Sequence, residues 1–322
     1  MSSISKSADI GHRKKTPAKW ISKDINLYIL LIPSVIWVII FAYLPLIGIY
    51  MSLVNYQPGI GGDSFFAQLV SSKFVGFTWF RYFFDNSDFY KIMRNTICQS
   101  LLSFIFSFPA PIILAITLNE IQINPIKRVV QTSSYLPYFI SWVIAANMII
   151  TLLASDGVVN DLLTALGIVD KPIIFLQDPN YFWFIIAISN VWKYAGYNSI
   201  IYLSAIAAIN PELFESAIID GANKMQRIRY ITLPSLKPTI IILLILSSSN
   251  IINAGFDQQY LLMNDTIMST ADVIDTYTFR YGIVKGMYSY ATAIGLFKSV
   301  VSFMLLTMVN QISKRVNDQS LF

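Results

Sequence analysis

The sequence predicts an all-α membrane protein with six transmembrane helices, and three observations carry that prediction. Of its 322 residues, 55% are hydrophobic and only 13% are charged. Apolar runs long enough to cross a bilayer recur six times along the chain. Lysine and arginine are shared unequally between the segments that join those runs.

A soluble domain carries about 25% charged residues. A chain with half that charge and a mean hydropathy of +0.58 lacks the polar surface to coat a globule, so much of its surface must meet lipid. The formal charge of +5 is modest and reads as loop topology, not as nucleic-acid binding. The single cysteine, Cys98, excludes an internal disulfide and a cysteine-rich metal site. The N-terminal tail, residues 1–26, is polar and basic. It leads into an apolar run of about 25 residues, far longer than the h-region of a signal peptide, so a retained span is expected.

A helix crosses the hydrocarbon core in about 20 residues. Uncharged runs of that order lie at 27–51, 97–118, 129–154 and 239–256. Two more, at 181–209 and 291–312, each carry one charge, Lys193 and Lys298. Helices follow because a helix satisfies its own backbone in lipid. With the N-terminus inside, fourteen Lys and Arg fall on inner segments and seven on outer ones. Basic flanks stay on the cytoplasmic side, so both termini, including residues 313–322, are expected there. The outer segments 52–96, 155–180 and 257–290 are long, and are expected to be surface loops that cap an entrance or receive a delivering protein.

The inner segment 210–238 reads NPELFESAIIDGANKMQRIRYITLPSLKP. Pro211 sits where a helix can start, with Asn210 as its cap and Glu212 favourable in the first turn, and a short helix is expected over about 212–219. That helix sets Leu213, Ala217 and Ile218 near one side and Glu215 near another. Asp220-Gly221 ends it, since glycine accepts the left-handed backbone of a helix terminus. A second amphipathic stretch is expected at 222–230, after which Pro234 and Pro238 reset the chain direction. One reading is a basic connector that hugs lipid headgroups. Against it stand the small residues Ser216 and Ala217 beside Glu215, a carboxylate that headgroups would not favour.

The segment resembles the EAA loop of permease subunits in binding-protein-dependent ATP-binding-cassette importers. The pattern is Glu-Ala-Ala, three residues, Gly, nine residues, Ile, one residue, Leu-Pro. Here Glu215-Ser216-Ala217, Gly221, Ile231 and Leu233-Pro234 keep that spacing, with Ser216 the one departure. The resemblance extends over about residues 27–314, and within the family it is nearest the maltose-type carbohydrate branch. FDQQYLLMN and ADVIDTYTFRYGI resemble a subgroup that handles complex oligosaccharides or polysaccharide fragments. The Gly-Gly-Pro frequent in that branch after the fifth span is missing.

The resemblance implies a type I importer permease fold in a bacterial cytoplasmic membrane. It implies a coupling helix seated in a groove of an ATPase, with Glu215, Ser216, Ala217, Asp220, Gly221 and Ala222 at the contact. Ile231, Leu233 and Pro234 would stiffen the lever. It also implies a second homologous permease as heterodimer partner, an ATPase dimer and an extracytoplasmic solute-binding protein. ATP and Mg would sit on the ATPase subunits, with no cofactor on this chain.

A motor is not encoded in this chain. No Gly-x4-Gly-Lys-Ser/Thr run is present, and the glycine cluster at 59–62 lacks the lysine. The one histidine, His12, lies in the polar tail, so neither a histidine triad nor a metal cluster is expected.

A lysine at bilayer depth costs about 2.5–3.5 kcal/mol on insertion scales, so Lys193 and Lys298 should face the protein interior or snorkel. Lys193 stands in SNVWKYAGYNSIIY. There Asn190, Trp192, Tyr194, Tyr197 and Asn198 combine amides with flat rings, which suits sugar hydroxyls and C–H faces. The same asparagines also suit inter-helix hydrogen bonding, and Trp192 suits packing. Gly196 could loosen the helix. Asn250 and Asn253, three residues apart, share a face of the fifth span and are further candidates for the path. Importers of another small solute and a non-transporting membrane scaffold are the competing functions. The polar run in the fourth span favours transport over the scaffold.

Overall fold

A computed structural model of the chain describes residues 25–317. Most of the expected basic tail, its His12 and residues 318–322 lie outside the described residues. Among the described residues every regular element is helical, and one isolated antiparallel bridge joins Val54 and Phe74. It divides after Tyr50 into two units.

The first unit holds the α-helix Ile25–Val38 and the π-turn Ile39–Tyr43, and a 3-10 stretch, Leu44–Leu53, leads out of it. The run expected at 27–51 is therefore helical throughout. The change of helix type falls beside Pro45, which has no N–H to continue the α pattern.

Four helices among the described residues are long and apolar enough to cross a membrane: Leu27–Leu53, Phe89–Glu120, Lys224–Ile252 and Tyr288–Arg315. The second and fourth overrun the expected 97–118 and 291–312 at both ends, because amphipathic turns prolong each helix beyond its apolar centre. The third starts well before 239. Its prolines do not reset the chain: Pro234 and Pro238 lie within a helix that continues from a π-turn, Ile228–Thr232, into Leu233–Ser248. In that turn Leu233 N–H donates to the Ile228 carbonyl, a wider ring that accommodates the donor missing at Pro234.

The run expected as one span at 129–154 is a bent pair instead. Asn124–Phe139 and Trp142–Leu152 meet at 107°. Ile140 is extended, and Ser141 restarts the helix by accepting from Ile144 N–H. Counted as one span, the pair brings the apolar total to five. The helix expected at 181–209 forms as Pro179–Ala207, 29 residues and about 43 Å long. It is long enough to cross but too polar to join the apolar set, because Asn190, Lys193 and Asn198 sit at its middle.

That polar helix is the pillar of the second unit. Near its start Phe182 and Ile186 pack with Ala146, Leu262, Ile267 and Ala271. Near its end Tyr202 and Ile206 pack with Ala115 and Leu236. Gly196 does not loosen it. A Cβ at Gly196 would collide with the Ser134 carbonyl, so the absent side chain lets two helix backbones touch.

The segment 257–290 was expected as surface loop and is packed structure. The short helices Asp257–Leu262, Met268–Ala271 and Ile274–Phe279 and the 3-10 turn Asp265–Ile267 bury Ile267, Ile274 and Tyr277 completely. Tyr277 and Ile274 join Phe83, Ile92, Tyr290 and Ile294 in one cluster. The Tyr277 and Tyr290 hydroxyls lie 3.0 Å apart. Burial, reinforced by the Tyr290 hydroxyl, holds the Tyr277 phenol above its usual range, so it stays a neutral hydrogen-bonding group.

Candidate functional site

The 215–234 pattern begins on the helix Pro211–Ile219. The Asn210 side chain accepts from Glu212 N–H at 3.1 Å, which satisfies one of the free donors of the first turn. The far end closes on Gly221, at φ +79°. Gly221 N–H donates to the Ile218 carbonyl at 3.0 Å and Ala222 N–H to the Ala217 carbonyl at 2.8 Å. That pair of bonds is a Schellman stop. The next helix, Lys224–Arg227, starts two residues later than the expected 222. Asn223 holds it there, exchanging bonds with Gln226 in a capping box.

Every terminus in this segment is therefore capped from within. Glu215 and Ser216 are exposed, and Glu215 makes no ion pair among the described residues. Beside them Leu213, Ile218 and Ile219 are exposed too, Ile219 at 86%. The segment thus offers a stiff surface that is partly apolar and carries an unpaired carboxylate. Its mechanical connection is short: Ile231 lies in the π-turn, Leu233 and Pro234 open the next helix, and Leu236 is fully buried against the pillar.

Five of the eight residues expected along a path come together. Asn190, Tyr194, Asn198, Asn250 and Asn253 line one cavity of about 400 Å³, a size within the usual range for small-molecule sites. Asn250 and Asn253 share a face because Ser249–Ile252 is a 3-10 turn, in which residues three apart eclipse. Asn190 also meets the competing reading, since its amide donates to Ser103 Oγ at 3.4 Å across two helices.

The other three do not line that cavity. Lys193 is only 4% exposed. Its ammonium donates to the carbonyls of Pro137 at 3.2 Å, Tyr138 at 3.4 Å and Ile140, and it stands 5.1 Å from the Trp142 ring. Pro137 and Tyr138 stand in the last turn of the helix Asn124–Phe139 and Ile140 follows it at the bend, so the cation caps a broken helix. Tyr197 stacks flat on Tyr138 at 3.8 Å. Trp192 borders a separate, mostly apolar hollow with Pro137 and Gly196.

Residues 107–318 match the family described as "Binding-protein-dependent transport system inner membrane component". The chain belongs to that family. The permease is 41% identical to protein LplB of Bacillus subtilis over 303 residues, which are 94% of this chain and 92% of LplB. It is 35% identical to the polygalacturonan/rhamnogalacturonan transport system permease protein YteP of the same organism, covering 96% of this chain and 94% of YteP. It also superposes on a chain of a bacterial ABC transporter involved in the import of the acidic polysaccharide alginate. That match has a TM-score of 0.82 at 40% identity and covers 93% of this chain and 99% of the other. The permease is therefore a multi-pass membrane component, not an enzyme.

Two features in and beside the permease's cavity lie outside the path residues expected from the sequence. Ser100, Ser103, Ser107 and Phe104 of the helix Phe89–Ser107 line the same cavity as the asparagines. Serines at 100, 103 and 107 follow helical spacing on one face of an apolar run, the same signal that Asn250 and Asn253 gave. Lys298 was expected to snorkel or face the interior; it turns inward. Its ammonium pairs with Asp275 and donates to Asn253 Oδ1 at 3.2 Å. No local pattern reveals that pair, because 23 residues separate its members.

Proposed function

We propose that this permease is one membrane subunit of an ATP-driven importer that carries a carbohydrate, an oligosaccharide or polysaccharide fragment, across a bacterial cytoplasmic membrane. In this reading it crosses the membrane six times: four apolar helices, the bent pair and the polar helix Pro179–Ala207. Both termini are cytoplasmic. It works with a second homologous permease, an extracytoplasmic solute-binding protein and an ATPase dimer that holds the ATP and Mg.

One observation carries the proposal. The exposed helix bearing Glu215, Ser216 and Ala217 is capped at both ends, and a helix leads from it through Leu236 to Asn250 and Asn253 in the cavity wall. When the ATPase subunits close on ATP, a groove holding this helix moves it. A capped helix passes displacement on, where a loose loop would absorb it. ATP energy then enters as a difference in contacts between two states of the permease. The amides, hydroxyls and rings of the cavity supply what a saccharide needs: hydrogen-bond partners for hydroxyls and flat faces for C–H groups. The named substrates of YteP and of the alginate transporter support the carbohydrate class.

The test is Glu215→Lys in the complete transporter, reconstituted with its binding protein. Uptake of labelled oligosaccharide should vanish while the amount of permease in the membrane stays at the wild-type level. Normal uptake by that variant would remove the coupling role.

A further inference from the structure

No acidic or basic side chain lines the cavity among the described residues. One cation stands just behind its wall. Lys298 donates to Asn253 Oδ1, and Asn253 lines the cavity. The same ammonium pairs with Asp275 on the packed segment 257–290; the two side chains are 21% and 18% exposed.

The second ion pair of that segment makes the contrast. Asp272 is fully buried and both of its oxygens are engaged. Arg280 donates to Oδ2 at 2.6 Å and to Oδ1 at 3.3 Å, and Thr276 Oγ1 donates to Oδ1 at 2.8 Å. Asn95 Nδ2 ties the Asp272 carbonyl to the helix Phe89–Ser107 at 3.0 Å. That pair is a finished structural clamp. Asp275 is held by one oxygen, while its Oδ2 is buried with no hydrogen-bond partner. A pair that only joined two segments would be completed as Asp272 is.

We propose that Lys298 is a specificity residue that recognises a carboxylate on the transported saccharide. An ammonium has three N–H donors. It can keep Asp275 while exchanging the neutral carbonyl of Asn253 for a carboxylate entering from the cavity. Charge-assisted bonds are stronger than neutral ones, so the exchange favours an acidic sugar. The Asn253 amide is then free for a neighbouring hydroxyl. A neutral sugar offers nothing stronger than Asn253 already gives and leaves the cation where it is. Discrimination of this kind sets a substrate group against an internal competitor. The inference rests on the carbohydrate reading above and adds the charge of the substrate.

The test uses the complete transporter in nanodiscs, with trigalacturonate and its carboxyl-reduced neutral counterpart as probes. Equilibrium binding is measured without the binding protein, so that only the membrane cavity selects. Wild type should prefer trigalacturonate, and Lys298→Gln should weaken it at least tenfold while leaving the neutral probe unchanged. Lys298→Arg should retain most of the preference. Asp275→Asn breaks the same ion pair but leaves the cation, so it should bind trigalacturonate at least as tightly as wild type. Equal losses in Lys298→Gln and Asp275→Asn would make the pair purely structural and overturn the proposal. A wild type that binds both probes alike would overturn it too. Uptake with the binding protein separates the two readings. Saccharide uptake that Lys298→Gln leaves unaltered ends this inference alone, and a wild type that takes up no saccharide of either kind ends the carbohydrate reading as well.

Discussion

Lys193 and Gly196 sit three residues apart on the pillar and serve one junction. Both meet the bent pair, Lys193 by capping its carbonyls and Gly196 by admitting the backbone at Ser134. Lys193→Met keeps the length of the stem and removes three bonds to backbone carbonyls. Bonds to a charged group are worth about 1.5–3 kcal/mol each in the best case, and the desolvation of the buried ammonium offsets part of their sum. The expected loss is about 3 kcal/mol, read as a lower Tm of the purified complex, with no change in substrate preference. Gly196→Val should cost at least as much, because its Cβ meets backbone that cannot swing aside. Its expected readout is reduced permease in the membrane. A Lys193→Met complex with wild-type Tm and altered sugar preference would restore Lys193 to the path.

At the scale of elements, the two stretches of helix around 211–252 differ in what holds them. The helix Pro211–Ile219 is exposed and depends on its caps; the helix Leu233–Ser248 depends on burial of Leu236 and Ile245. The π-turn Ile228–Thr232 joins them and is the place where stiffness can be removed without touching either contact. Replacing Arg229 and Tyr230, both exposed, with glycine costs about 1 kcal/mol of helix propensity per site. ATP hydrolysis should persist while uptake per ATP falls several-fold, measured in proteoliposomes. An unchanged ratio would mean that motion reaches the cavity by another element. The prolines teach a related lesson. Pro234 and Pro238 read as breaks, yet a widened turn before them keeps the chain helical.

For the whole molecule, sidedness is the property on which the transport reading stands. It can be checked with the exposed ends of the permease in a background where Cys98 is replaced by serine. Ile219→Cys, on the exposed helix Pro211–Ile219, should react with a membrane-impermeant maleimide only in inside-out vesicles. Tyr90→Cys, 85% exposed at the opposite end, should react only in right-side-out ones. The reverse pattern would invert the orientation drawn from fourteen inner and seven outer basic residues.

Local chemistry settled a good deal of this protein from its chain alone. Apolar length announced the helices, because lipid leaves the backbone no other economy. Capping residues and Gly221 marked the ends of the helix Pro211–Ile219, because a helix terminus is satisfied within a few residues of itself. Asn190, Asn198, Asn250 and Asn253 stood out because amides are costly inside an apolar run. Folding decided what depends on residues far apart. Lys193 was drawn from the cavity to the carbonyls at the Ile140 bend, which lie more than fifty residues away in the chain. The pairing of Lys298 with Asp275, and the burial of a segment that read as loop, likewise needed distant chain to arrive. A charge has no preferred partner in sequence; the energy that places it is set by whichever groups surround it once the helices have packed.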